Sequence, residues 1–388
     1  MNIEIEGVGF RNKGAELMLR AIVDRVRGWG EMRIAVRSSR GTEAQRSELD
    51  LYRRADFARF GALAAPIRRA LPLSVRRHMR VMIPEEVDAI LDASGFRYSD
   101  RWGKETSQAL DRRTRTARRL GVKYILMPQA LGPFQDPDAR EAFQRACQDI
   151  SLIFARDRDS YDHVRELIGD DSRLHIAPDF TPGLPPAVFD VSPISNNGQR
   201  GIVAVVPNAR MLDKTTAHVA DRYAAFMTAV INHVHERGYA PAIVLHSDDD
   251  DDLRLANEIV GASGLRVPVI SEPNAQVLKG IIAQCDLMVG SRFHGLMNAL
   301  SQGVPAVATS WSHKYQRLFE SYNSADLLVD LDGGLSSALS TVDRLLDERE
   351  RETIRRRLDE ANIRFGHQIE GMWQKVYDCL SGEPTAGA

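Results

Sequence analysis

Short apolar runs and longer amphipathic stretches alternate along the whole chain. "NIEIEG" near the start reads as a strand, and a helical pattern follows from Ala15 to Val26. "MRIAVR", "VDAILDAS", "KYILMPQ" and "SLIFA" are further strand-like runs. Between them lie stretches of helical period, such as Lys104 to Leu120 and Ser160 to Ile168. Strands alternating with helices predict parallel sheets covered on both faces. The pattern breaks at "DFTPGLPPAVFDVSPISNNGQ", Asp179 to Gln199, which is rich in proline, glycine and asparagine and reads as an interdomain linker. The alternation then restarts. "GIVAVVP", "APAIVLH", "DLMVG" and "VPAVATS" are strands, Thr215 to Arg237 is a long helix, and "LMNALSQG" is a helix ending at Gly303. The tail from Leu335 to Leu380 is strongly helical. The predicted class is α/β, with two Rossmann-like doubly wound domains facing each other across a cleft. The first is placed over residues 1–185, the second over 198–340, and a helical tail over 341–388.

Length and composition narrow this picture. A chain of 388 residues is long for one core. A formal net charge of −2 argues against general nucleic-acid binding. The three cysteines, Cys147, Cys285 and Cys379, lie far apart without metal-ligand spacing, which predicts reduced thiols in a cytoplasm. No apolar run approaches the roughly 20 residues of a membrane span. The basic residues are mostly arginine, with seven lysines among the 51, so each lysine stands out. The stretch Arg53 to Arg80 carries eight arginines and one acidic residue, Asp56. It reads either as a solvated arginine-rich loop or as a face for an anionic membrane, giving peripheral contact at the inner membrane face. Nothing in the pattern sets the oligomeric state.

The candidate chemistry begins at "GSRFHG", Gly290 to Gly295, directly after the apolar run "CDLMV". In open parallel sheets ligands bind outside the carboxyl ends of strands. Arg292 and His294 fall there, at the start of a helix expected from about Phe293. The first-turn N–H groups of such a helix attract anions, and Gly290 and Gly295 allow close approach. The next strand is followed by "WSHKY", which brings Lys314 to the same edge if the two strands are neighbours. "SLIFA" in the first half is followed by Arg156 and Asp157, either a second cation for the cleft or a capped helix start. Three cations and one histidine suit a small, multiply charged anion. No metal is expected, since no cluster has ligand spacing. Asp248 to Asp252 reads as an acidic first helical turn and His246 as structural. Acceptor contacts are expected from Asn12, Phe96, Tyr98 and Gln129, near strand ends of the first domain, and from Asn208 and Arg210 of the second.

These residues resemble a known family. "GSRFHGLMNALSQGVPAVATSWSHKY" is similar to the C-terminal signature of polysaccharide pyruvyl transferases. "FRNKGAELMLRAI", "LMPQALGPF" and "FARDRDSYDHV" resemble their other motifs, in the same order. The resemblance implies a fold like that of GT-B glycosyltransferases, phosphoenolpyruvate as donor substrate, and no cofactor. The implied acceptor is a sugar in a glycan or lipid-linked precursor, and the implied product is a cyclic pyruvate ketal of the cell envelope. By motif, His294, Lys314 and Arg156 take catalytic roles, and Arg292, Arg156, Lys314 and Gly295 bind the donor. The chain departs from the family at Ala15, where an acidic residue is common, and Glu16 takes that place on the acceptor side. The competing readings are a GT-B glycosyltransferase using a nucleotide sugar and a non-catalytic glycan-binding or scaffold protein.

Overall fold

The structure, a computed structural model, describes residues 1–55, 72–192, 194, 198–311 and 313–382. Most of the arginine-rich stretch, residues 56–71, lies outside them, and with it the membrane-contact expectation. The chain forms two compact units. The first comprises Met1–Phe10, Met18–Phe180 and His367–Ala388, and the second Arg11–Leu17 and Thr181–Gly366.

The first unit carries eight parallel strands: β1 (Asn2–Glu6), β2 (Arg33–Arg37), β3 (Tyr52–Arg54), β4 (Val81–Met82), β5 (Ala89–Asp92), β6 (Lys123–Gln129), β7 (Leu152–Ala155) and β8 (Leu174–Ile176). Their spatial order is β4-β3-β2-β1-β5-β6-β7-β8. The order reverses between β1 and β5, which is where such sheets open a crevice at their carboxyl edge. Glu4 and Glu6 of β1 are buried because arginines meet them. Arg54 Nε lies 2.7 Å from Glu4, while Arg37 and Arg113 lie 2.9 and 2.7 Å from Glu6.

The second unit has five parallel strands: β9 (Ile202–Val206), β10 (Ala240–Val244), β11 (Val269–Ile270), β12 (Leu287–Gly290) and β13 (Ala306–Ala308). Their order is β11-β10-β9-β12-β13, so the reversal falls between β9 and β12. β9, "IVAVV", is buried at every position, as a β-branched run covered on both faces should be. The helices Ala217–Glu236 and Ala275–Ala283 begin behind the N-caps Thr216 and Asn274, whose side chains accept first-turn N–H groups. β12 and β13 are hydrogen-bonded neighbours, as the single strand–helix–strand step between them predicts.

Three assignments differ from the sequence expectation, the first being residues 11–17, which belong to the second unit and not the first. Residues 341–388 are not a separate tail: the helix Glu348–Ser381 contributes its part up to Gly366 to the second unit and the rest to the first. The proline-rich stretch expected as a linker is, in its first half, a strap on the second unit. Lys279, buried on the helix Ala275–Ala283, donates to the carbonyls of Thr181 at 3.0 Å, Pro182 at 3.4 Å and Leu184 at 2.5 Å. Gln276 Nε2 donates to Pro185 O and Gln284 Nε2 to Phe189 O. Prolines bar the strap from a sheet ladder, so its carbonyls need other donors. Composition marked the break in secondary structure but not these side-chain donors. Lys279→Met keeps the packed stem and removes the ammonium. It should lower the unfolding free energy by about 3 kcal/mol, read by urea denaturation.

Candidate functional site

The site is built at the carboxyl ends of β9 and β12. β12 ends at Gly290, where a side chain would collide with the Val206 carbonyl of β9. Ser291 N donates to Val206 O at 3.1 Å, keeping the two strand ends together past the last sheet residue. Asn208 Nδ2 donates to Ser291 O at 2.8 Å, and Tyr315 Oη to the same carbonyl at 2.7 Å. The Tyr223 hydroxyl bonds Ser291 Oγ and accepts from Asn208 N. The turn leading into Arg292 is thus fixed from four directions before the helix Phe293–Leu300 starts, one residue after Arg292.

Arg292 is the N-cap of that helix, and its own side chain makes no capping hydrogen bond. Its Nη2 donates to Asp252 Oδ2, with Asp249 Oδ2 4.0 Å away. His294, in the first turn, is half-buried. The backbone of Gly14 lies against its ring. A Cβ at position 14 would overlap Nδ1 and Cγ of His294 and come within 2.8 Å of its Cβ. Gly295 is packed against Met288 and Val206, with His246 Cδ2 3.4 Å from where its Cβ would be.

The residues that bring Gly14 here are its neighbours in "NKGAE". Asn12 caps the helix Lys13–Arg27 through Gly14 N at 2.9 Å and Ala15 N at 3.3 Å, and Asn12 also bridges to Ser247. Lys13 is buried, with its Nζ 3.0 Å from Asp248, 2.9 Å from Pro273 O and 3.7 Å from Glu16. Glu16 Oε1 accepts from Ala275 N at the start of the helix Ala275–Ala283.

His246, one turn of chain beyond β10, is fully buried, and burial together with the charges of His294 and Arg292 pulls its pKa down to about 3. Asn298 Nδ2 lies 3.2 Å from its Nε2. An amide nitrogen only donates, so Nε2 accepts and the ring proton sits on Nδ1. Lys314 places its ammonium among three rings, 5.1 Å from Phe293, 4.7 Å from Trp311 and 5.4 Å from Tyr315. Such cation–π contacts hold a lysine head group without neutralising it.

The second unit therefore gathers Arg292, His294, Gly295, Asn208 and the segment around Asn12 and Glu16. Arg156 belongs to the first unit, after β7, where its Nη1 pairs with Asp179 at 3.2 Å. Four expected acceptor contacts carry bracing bonds. Glu16 is fully buried on a helix start. Tyr98 is buried, and its hydroxyl donates to Asp92 at 2.6 Å. Gln129 is buried, with Nε2 on Asp92 O. Asn208 holds Ser291. Tyr98, Gln129 and Asn208 lie near strand ends as expected, and each makes a hydrogen bond inside the fold; Gln129 Oε1 is buried without a hydrogen-bond partner among the described residues. Phe96 keeps a partly open face and meets Trp102 edge-on at 6.3 Å. Trp102, 48% exposed on the turn Asp100–Trp102, escaped the sequence reading, as did Gly14, while Asp252 was read only as part of an acidic first helical turn, where it lies. Exposed tryptophan next to a strand-end loop is the signal that would have found the first. Among the described residues no group of three or more His, Cys, Asp or Glu is placed to hold a metal ion, and no helix is long and apolar enough to cross a membrane.

Two doubly wound α/β units, with an arginine–histidine motif at a strand-order reversal, define a GT-B-like protein. Solved structures share that fold. They include Anabaena HepE in complex with UDP-glucose (15% identity, TM-score 0.58, covering 98% of this chain and 100% of that one). S. aureus MnaA, solved with UDP, is another (11%, 0.62, 100% and 98%). A third is UDP-GlcNAc 2-epimerase from Neisseria meningitidis bound to UDP-GlcNAc (9%, 0.56, 98% and 100%). The family model for polysaccharide pyruvyl transferase matches residues 12–313, and the chain belongs to that family. It is a transferase.

Two outcomes follow from this geometry. Gly14→Ala should cost about 1–3 kcal/mol on thermal unfolding, because the His294 Cβ cannot move aside as a rotating ring can. Gly9→Ala, which meets only the Arg40 side chain at 3.7 Å, is the control with little effect. His246 binds a proton in the unfolded chain below its ordinary 6.5 but stays neutral in the fold down to about 3. In that window the unfolded state holds more protons, so stability rises with pH and is lost as pH falls toward 3. His246→Gln, which keeps the acceptor, should flatten the slope of unfolding free energy measured between pH 5 and 7.

Proposed function

We propose that the protein transfers pyruvate from phosphoenolpyruvate to hydroxyls of a sugar in a glycan or lipid-linked precursor, forming a cyclic ketal. The observation that carries this reading is the pairing of Arg292 with His294 at one helix start, within the matched family region. A dianionic phosphate suits an arginine fork beside first-turn N–H groups. Lys314, held within its ring cluster, supplies a further cation for the donor carboxylate or phosphate.

His294 donates its proton to the methylene carbon of phosphoenolpyruvate, which becomes the methyl group. Positive charge develops at the central carbon, and a sugar hydroxyl oxygen bonds to it, releasing its proton to the phosphate. The bond from the central carbon to the phosphate oxygen then breaks, and inorganic phosphate leaves with the electron pair. A second hydroxyl of the same sugar attacks that carbon and closes the ketal, and its proton returns to His294. Phe96 and Trp102 offer an aromatic face of the kind that stacks on a pyranose ring.

The reading is tested by thermal unfolding with phosphoenolpyruvate and, separately, with UDP-sugars. A ligand at 100 times its Kd adds about 2.7 kcal/mol, seen as a rise of a few degrees. Phosphoenolpyruvate should stabilise the wild type and His294→Ala, and fail to stabilise Arg292→Ala. In a phosphate-release assay with a sugar acceptor, His294→Ala should lose about 10²–10⁴ in kcat, while Trp102→Ala should raise the acceptor KM and leave the donor KM unchanged. Stabilisation by UDP-sugars alone would replace the reading with a nucleotide-sugar transferase.

A further inference from the structure

Arg292 does not stand alone at its helix start. Its partner Asp252 is fully buried, in the first turn of the helix Asp250–Ser263. One oxygen of Asp252 takes Arg292 Nη2, and the other accepts the backbone N–H of Ala209 at 2.9 Å. Ala209 follows Asn208, just past the carboxyl end of β9. One carboxylate therefore ties together a helix start, the loop after β9 and the loop after β12. Arg292 Nε is buried and has no hydrogen-bond partner among the described residues. A guanidinium has five N–H donors, so an arginine held by one nitrogen keeps donors for a second anion.

We infer that Asp252 is a positioning residue for anion recognition. It clamps Arg292 in one orientation, and it provides the negative charge that lets the arginine sit half-buried when no anion is bound. The inference rests on the reading of Arg292 as the phosphate contact. The opposite role, a carboxylate that the phosphate must displace, fits the geometry poorly. Displacement would strand a buried carboxylate against a single N–H, and an uncompensated buried charge is expensive. The neighbouring Asp251 is exposed and pairs with Arg254, Asp248 takes the buried Lys13 ammonium, and Asp252 is the fully buried member of the run.

Asp252→Asn offers one oxygen to two donors, so either Ala209 N–H or Arg292 loses its acceptor. Asp252→Ser leaves room for a water and carries the test if the asparagine variant does not fold. Isothermal titration with phosphoenolpyruvate, inorganic phosphate and UDP compares the wild type, both variants, Arg292→Ala, the double variant and Asp251→Asn. Whichever anion the wild type binds should bind the Asp252 variants about tenfold more weakly and bind Asp251→Asn unchanged. The donor KM should rise in step while kcat changes by less than about threefold. On the Arg292→Ala background the Asp252 change should add nothing, which a purely structural role would not produce. Equal or tighter binding in the Asp252 variants, an additive loss, or a wild type that binds none of the three overturns the inference. A wild type that binds UDP and not phosphoenolpyruvate overturns the donor reading, and the clamp is then judged on UDP.

Discussion

The approach of the Gly14 backbone to the His294 ring sets the terms for the whole second unit. No side chain fits between them, so the segment that carries Gly14 must be held to within a fraction of an ångström. The chain does this by lending Arg11–Leu17 to the second unit before continuing into the first. Asn12 fixes the helix start, Lys13 is sunk among Asp248, Pro273 and Glu16, and Glu16 caps another helix. In the proposed role of His294 as proton donor, an imidazole is useful only when its orientation is fixed by packing and supporting bonds. Here the support comes from the far end of the sequence.

Several buried charges in both units occur in compensated sets. Lys13 faces Asp248 and Glu16, Arg292 faces Asp252, Arg156 faces Asp179, and the β1 glutamates face three arginines. Removing one member of such a set strands the other in a poorly solvating interior, which costs far more than the set itself contributes. Under the proposed function, a multiply charged donor needs cations that are present beforehand and yet tolerable when the site is empty. A fixed carboxylate on one side of an arginine meets both demands.

Much of the sheet architecture was legible in the chain. Apolar runs such as "GIVAVVP" and "DLMVG" mark buried parallel strands because both faces of such strands are covered. The start of the helix at Phe293 and the neighbouring of β12 and β13 followed from local pattern and connection length. Arg292 and His294 were legible for the same reason: charge at the end of an apolar strand is conspicuous. What could not be read was the direction in which strand-end polar groups point. Tyr98, Gln129 and Asn208 stand where ligand contacts are expected, yet the Tyr98 hydroxyl and the Gln129 and Asn208 amide nitrogens donate to buried partners, and only the fold reveals those partners. Asp252 looked like one of five similar aspartates, and its difference lies wholly in facing inward. The lending of residues 11–17 between units leaves no local trace, since the helix Lys13–Arg27 runs unbroken through the boundary.

The strap held by Lys279 and the anchor at Lys13 have a consequence for how the chain can evolve. Both ammonium groups are sunk in sites where a compact head reaches several oxygens at once. A guanidinium is larger, planar and forked, and cannot occupy either place without rebuilding the walls. This chain's basic residues are mostly arginine, with seven lysines among the 51. At these two positions a lysine-to-arginine replacement, usually tolerated on the surface, would act as a core substitution for reasons of shape and not of charge.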